Sequence, residues 1–186
     1  MKANLNVIIV VLSKILVVQV ALCVFFLSTF VQAENIHIAV ASNFSGTMKV
    51  LIKEFEKKSQ GSITASYASS GHIYAQIVNG APYDVFFSAD TERPQKLIKN
   101  GYANNDNSFV YAEGKLILWQ EKQGETVNER SLSEPDTKVR IAIANPKHAP
   151  YGKAAIETMQ RMSVFKDLKT SLITAQNVTQ VHQFVL

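Results

Sequence analysis

The chain has 186 residues, with 19 lysines and arginines against 15 acids and a formal net charge of +4. Residues 1–33 contain Lys2 and Lys14 and no acid, so the remainder has 17 bases against 15 acids, a net +2. That mild excess, with no run of bases interleaved with aromatics, excludes a nucleic-acid surface. The single cysteine, Cys23, excludes a disulfide framework and a thiolate metal site.

The chain opens with an address. Met1-Lys2 starts a weakly charged region, and an apolar run from Val7 to Val31 follows, interrupted by Ser13-Lys14 and Gln19. It closes on Val31-Gln32-Ala33, a small-residue cleavage pattern that makes Glu34 the mature start. Residues 1–33 therefore read as a signal peptide. The apolar stretch is longer than a usual signal core, and an uncleaved membrane anchor is the alternative. Leu22 before Cys23 puts a bulky residue where lipoprotein cleavage wants a small one.

Ile36, Ile38 and Val40 alternate with His37 and Ala39, the period-2 pattern of a strand. Met48, Leu51, Ile52 and Phe55 then recur at helical spacing, with Lys49, Lys53, Glu54 and Lys57 off that stripe. Between strand and helix lies Ala41-Ser42-Asn43-Phe44-Ser45. Such a junction aims unpaired N–H groups and the positive end of the helix dipole at one spot. A second junction follows: strand Ile63–Tyr67, then Ala68-Ser69-Ser70-Gly71, then a helix from Ile73 to Val78 stopped by Asn79-Gly80. The serines either cap their own helices or bind an anion. Two such loops on one sheet edge favour the anion, because ligands of open α/β sheets sit beyond the strand carboxyl ends.

Asp84–Ser88 reads as a buried strand, and Arg93–Lys99 as a short helix stopped by Asn100-Gly101. Phe109-Val110-Tyr111 and Lys115–Trp119 read as strands crossing from one lobe to another. Val139–Ala144 alternates cleanly into Asn145-Pro146, and a helix from about Gly152 to Met162 turns Ala155, Ile156, Met159 and Met162 inward. Strands alternating with helices argue for an α/β sheet, and a second set after residue 109 for two lobes.

Ser70 as a catalytic nucleophile lacks a G-x-S-x-G elbow and an acid partner, so the chain is not read as an enzyme. His37, His72, His148 and His182 have no metal-ligand spacing and read as surface or satisfied polar residues. Lys147-His148 is either a solvated pair or a source of positive potential beside its turn. Tyr74 and Trp119 read as lobe packing.

Four segments together resemble the periplasmic molybdate-binding proteins of ABC importers, from about Asn35 to Leu186. They are Ala41-Ser42-Asn43-Phe44, Tyr67-Ala68-Ser69-Ser70-Gly71, the stretch Gly80-Ala81-Pro82-Tyr83-Asp84 through Ser88-Ala89-Asp90, and Asn145-Pro146 through Pro150-Tyr151-Gly152. The resemblance implies an α/β, type II binding-protein fold of two lobes joined by hinge strands, the first over 34–112 and the second over 113–186. It places the anion ligands on the hydroxyls and amides of Ser42 and Ser70 and on the backbone amides of Tyr151 and Val178. Alanine is common in the family at the position of Tyr151, so the tyrosine ring must find room. A further tyrosine ligand lies beyond Val178 on a segment not present here, and Leu186 falls inside a helix begun at Val178. The second lobe therefore reads as incomplete, its return to the first lobe missing, with Val181, Phe184 and Val185 short of strands to pack on.

The implied ligand is molybdate or tungstate, with molybdenum present only as the bound oxyanion and no cofactor. The implied partner is an inner-membrane permease, the compartment the periplasm and the state a monomer. Another tetrahedral oxyanion such as sulfate, or a membrane-tethered interaction module, is the alternative.

Overall fold

Two separate parallel sheets carry the chain in a computed structural model, which describes Gln19 and residues 35–104, 108–121, 127–133 and 140–186. The signal or anchor segment expected over 1–33 lies outside the described residues except for Gln19. Glu34–Leu186 forms one compact unit. Among the described residues no helix is long and apolar enough to cross a membrane.

The first sheet has the order β2-β1-β3, from β1 (Asn35–Ala41), β2 (Ser62–Ala68) and β3 (Val85–Phe87). Ala41 pairs with Ala68 and Val40 with Phe87, so all three strands end level at one edge. Helix α1 (Ser45–Lys58) returns the chain from β1 to β2, and α2 (Ser70–Val78) from β2 to β3; α3 (Glu92–Lys99) follows β3. The core on this sheet is Ile38, Val40 and Met48, flanked by Phe44, Ile52, Ile63, Tyr67 and Phe87. Of the expected α1 stripe, Met48 is buried and Ile52 packs beside it, while Leu51 and Phe55 are exposed. Gly80 and Gly101 stop α2 and α3 at φ 89° and 77°, the left-handed conformation that lacks a Cβ penalty only in glycine.

The second sheet pairs β4 (Ile141–Ala144) with β5 (Leu172–Ala175), again with level ends, Ala144 opposite Ala175. Among the described residues a short helix α4 (Glu129–Ser133) precedes it. Helices α5 (Pro150–Arg161) and α6 (Phe165–Leu168) with a 3-10 turn at Lys169–Ser171 lead from β4 to β5, and α7 (Val178–Val185) follows. Its core is Ile143, Met159, Val164 and Leu168, with Ala155, Ile156 and Met162 packed against it as their spacing predicts. Helix α5 ends at Ser163, which takes φ 61° without being glycine. No residue of α7 is buried and Phe184 is half exposed.

Phe109–Tyr111 and Lys115–Trp119 differ from expectation. Both are free of strand structure, and Phe109 and Ile117 are 80% and 77% exposed. A strand exists only by pairing its amides and carbonyls with a neighbour, and among the described residues neither segment has a ladder partner. Apolar alternation alone could not supply one.

Candidate functional site

Level strand ends put four segment starts around one cleft. After β1 comes a 3-10 turn at Ser42–Phe44, after β2 the start of α2 at Ser70, after β4 the start of α5 at Pro150, and after β5 the start of α7 at Val178. The cleft is narrow and partly open to solvent, lined by Ala41, Ser42, Asn43, Ser69, Ser70, Ala89, Ala149, Pro150, Tyr151 and Val178. All four sequence-derived candidates, Ser42, Ser70, Tyr151 and Val178, therefore line one cleft. None of the ten residues carries a charge. The amides at the first turn of a helix have no acceptor within it, so those of Ser70, Tyr151 and Val178 are left for another acceptor.

The serines are not capping residues. No side chain caps the N-terminal amides of the 3-10 turn, α1 or α2. The fully buried Ser70 instead accepts the Ala89 amide on its Oγ at 2.9 Å. That bond uses an acceptor site of the hydroxyl and leaves its proton to donate elsewhere. Ser42 is nearly buried, and among the described residues its hydroxyl has no hydrogen-bond partner. Ser69, the residue before α2, bonds the His72 Nδ1 at 3.0 Å.

The Ser88-Ala89-Asp90 loop is held from within. The Asp90 carboxylate pairs with the Arg93 guanidinium and accepts the Arg93 amide at 3.0 Å. Ser88 exchanges 3.3 Å bonds with Asp90, and its carbonyl accepts the Tyr111 hydroxyl at 2.9 Å. This loop holds the Ala89 amide that aligns Ser70, a role invisible at sequence level because a backbone donor has no residue signature. On the second sheet, Asn177 caps α7 by accepting the Gln180 amide at 3.0 Å, and the Gln180 side chain returns to the Gln176 amide at 2.7 Å. This reciprocal cap fixes the start of α7 and leaves the Val178 amide outside its bonding scheme.

The Tyr151 ring finds its room over Gly114, where a Cβ would collide with the tyrosine hydroxyl. Tyr111, three residues earlier, packs edge-on against Phe44 and Phe87 at centroid distances of 5.1 and 5.4 Å. Burial, with a smaller contribution from Tyr151, pushes the Tyr111 hydroxyl above the ordinary tyrosine pKa. Residues 111–114 thus bind the first sheet unit through Tyr111 and the second through Gly114. Trp119 stacks on His182 with ring centroids 5.2 Å apart.

The described residues form an open α/β architecture with a polar, uncharged cleft at the carboxyl ends of two parallel sheets. Residues 36–186 match the family described as bacterial extracellular solute-binding protein, and the chain belongs to that family. It is homologous to molybdate-binding proteins named ModA. The relative from Azotobacter vinelandii is 37% identical over 89% of this chain and 66% of its own length. The one from Rhodobacter capsulatus is 40% identical over 78% of this chain and 58% of its own. The solved Azotobacter vinelandii periplasmic molybdate-binding protein superposes with a TM-score of 0.77 at 39% identity, covering 81% of this chain and 66% of that one. The fold is accordingly that of type II periplasmic binding proteins. The chain spans less than two thirds of the length of these relatives.

Proposed function

We propose that the chain is an extracytoplasmic binding protein that captures molybdate, or tungstate, for an inner-membrane ABC importer, with no catalytic step and no cofactor. The observation that carries this reading is the cleft itself: four segment N-termini converge on it and no charged side chain lines it. In this reading Ser42 and Ser70 donate hydroxyl and amide protons from the first lobe, and Tyr151 and Val178 donate amides from the second. The lobes are assigned as residues 34–112 and 113–186, with residues 1–33 as the export signal. The chain acts as a monomer in the periplasm. The names of its relatives support the ligand and the transport class.

The donor set sorts anions by their protons. Molybdate at neutral pH is a dianion without a proton, so each oxygen only accepts. Hydrogen phosphate carries a proton that needs an acceptor, and the lining side chains include no carboxylate to take it. Neutral dipoles spread the anion's charge without a tight ion pair, and helix N-termini supply favourable potential. Sulfate satisfies the same donors, and cavity size separates it from the larger molybdate.

Calorimetric titration of the chain with molybdate, followed by competition with sulfate and phosphate, tests this. Saturable one-site molybdate binding with sulfate weaker and phosphate weakest is expected. Displacement of molybdate by phosphate at equal concentration would overturn the assignment, and preferential sulfate binding would move the protein to a different transport system.

A further inference from the structure

Among the described residues, one backbone-to-backbone hydrogen bond joins the two sheet units. The Gly71 amide, in the first turn of α2, donates to the His148 carbonyl at 2.8 Å. That carbonyl is rigidly held. The Lys147, His148 and Ala149 amides all bond to Asn145, the first two at 3.0 and 3.1 Å and the third at 2.8 Å. Asn145 in turn donates its amide to Ala175 of β5 at 2.7 Å. Beside the bond, the His72 and His148 rings stack with centroids 4.8 Å apart and planes 21° from parallel. The Ser69 hydroxyl fixes the His72 ring through Nδ1.

The contact also demands glycine. A Cβ on Gly71 would lie 2.7 Å from the His148 carbonyl oxygen and 2.8 Å from its Cα. Both are backbone atoms that cannot rotate away, so a methyl group there must push the units apart by several tenths of an ångström. Gly71 adjoins Ser70, and His148 lies three residues before Tyr151, so the displacement passes directly to donors on both sides of the cleft. Hydrogen bonds weaken steeply over that range.

We propose that Gly71 and His148 form a main-chain clasp, braced by the His72–His148 ring stack, which holds the two sheet units closed and sets how fast an anion leaves the cleft. The clasp uses none of the four candidate anion donors. Its kinetic part rests on the oxyanion reading of the cleft, and its structural part does not. A contact made on closure slows escape more than entry, so the dissociation rate is the quantity it controls.

Stopped-flow molybdate binding to the full chain would compare wild type, Gly71→Ala, His148→Ala and His148→Phe. Amide hydrogen exchange at Gly71, with and without molybdate, runs in parallel. Gly71→Ala is expected to raise the dissociation rate about tenfold or more, with the association rate within about twofold. His148→Ala, which keeps the carbonyl but loses the stack, should raise it several-fold, and His148→Phe should restore most of the loss. Alanine is at home in a helix, and an unchanged circular dichroism spectrum would establish that α2 is intact. Wild-type dissociation in Gly71→Ala, or a Gly71 amide unprotected both with and without molybdate, would overturn the clasp. Absence of molybdate binding by the wild type, with a protected Gly71 amide, would overturn the oxyanion reading and leave the clasp standing.

Discussion

Ser70→Ala removes the most constrained hydroxyl of the cleft, and the structure assigns it two separate costs. Loss of a donor to a charged oxygen weakens binding by about 1.5–3 kcal/mol, which is roughly ten- to 150-fold in Kd. The Ala89 amide, bonded to Ser70 Oγ at 2.9 Å, also loses its acceptor. That bond is only partly buried, so the stability cost falls near about 1 kcal/mol, or about 2–4 °C in melting temperature for a domain of this size. Ser42→Ala separates the two effects. Its hydroxyl caps no helix and has no partner among the described residues, so affinity should fall while stability stays within about 0.5 kcal/mol. Calorimetric titration with molybdate and thermal melts on both variants provide the assay. The reasoning fails if Ser70→Ala keeps its affinity within about twofold, or if Ser42→Ala melts as low as Ser70→Ala.

Gly114→Ala should cost about 1 kcal/mol by displacing the Tyr151 ring, and the cost should largely vanish in a Tyr151→Ala background, as chemical denaturation of the four forms would read. Ser163→Gly should stabilise the chain by about 1 kcal/mol, because Ser163 at φ 61° carries the left-handed penalty that glycine lacks; an unchanged midpoint would contradict this. Burial holds the Tyr111 proton above the ordinary tyrosine value near 10, so the folded chain keeps a proton that the unfolded chain releases. The contribution is complete below about pH 10 and is lost as pH rises through the raised value. Melting temperature should fall above about pH 10, and less so in Tyr111→Phe.

Much of the fold was legible because it rests on local pattern. Alternation at Ile36, Ile38 and Val40, helical spacing at Ala155, Ile156 and Met159, and the Asn-Gly stops at residues 79–80 and 100–101 each encode an element within a few residues. Ser42 and Ser70 could be set side by side because both follow strand ends that parallel pairing holds level, whereas Tyr151 and Val178 came from the family resemblance alone. Distant chain segments created what could not be read. Pairing partners, not apolar content, decide whether Phe109–Tyr111 becomes a strand. The Ala89 amide that aligns Ser70 and the His148 carbonyl that meets Gly71 are backbone groups, indistinguishable in sequence from any others. Gly71 gave a faint signal, as a glycine inside a helix start where a serine or alanine would form the turn equally well.

Anomalous diffraction at the molybdenum edge, from crystals of the chain soaked in molybdate, tests the central claim most directly. The account predicts a single strong peak in the cleft, with its oxygens within hydrogen-bond reach of the Ser42 and Ser70 hydroxyls and of the Tyr151 and Val178 amides. A peak at a surface lysine cluster with the cleft empty, or no peak at all, would contradict it.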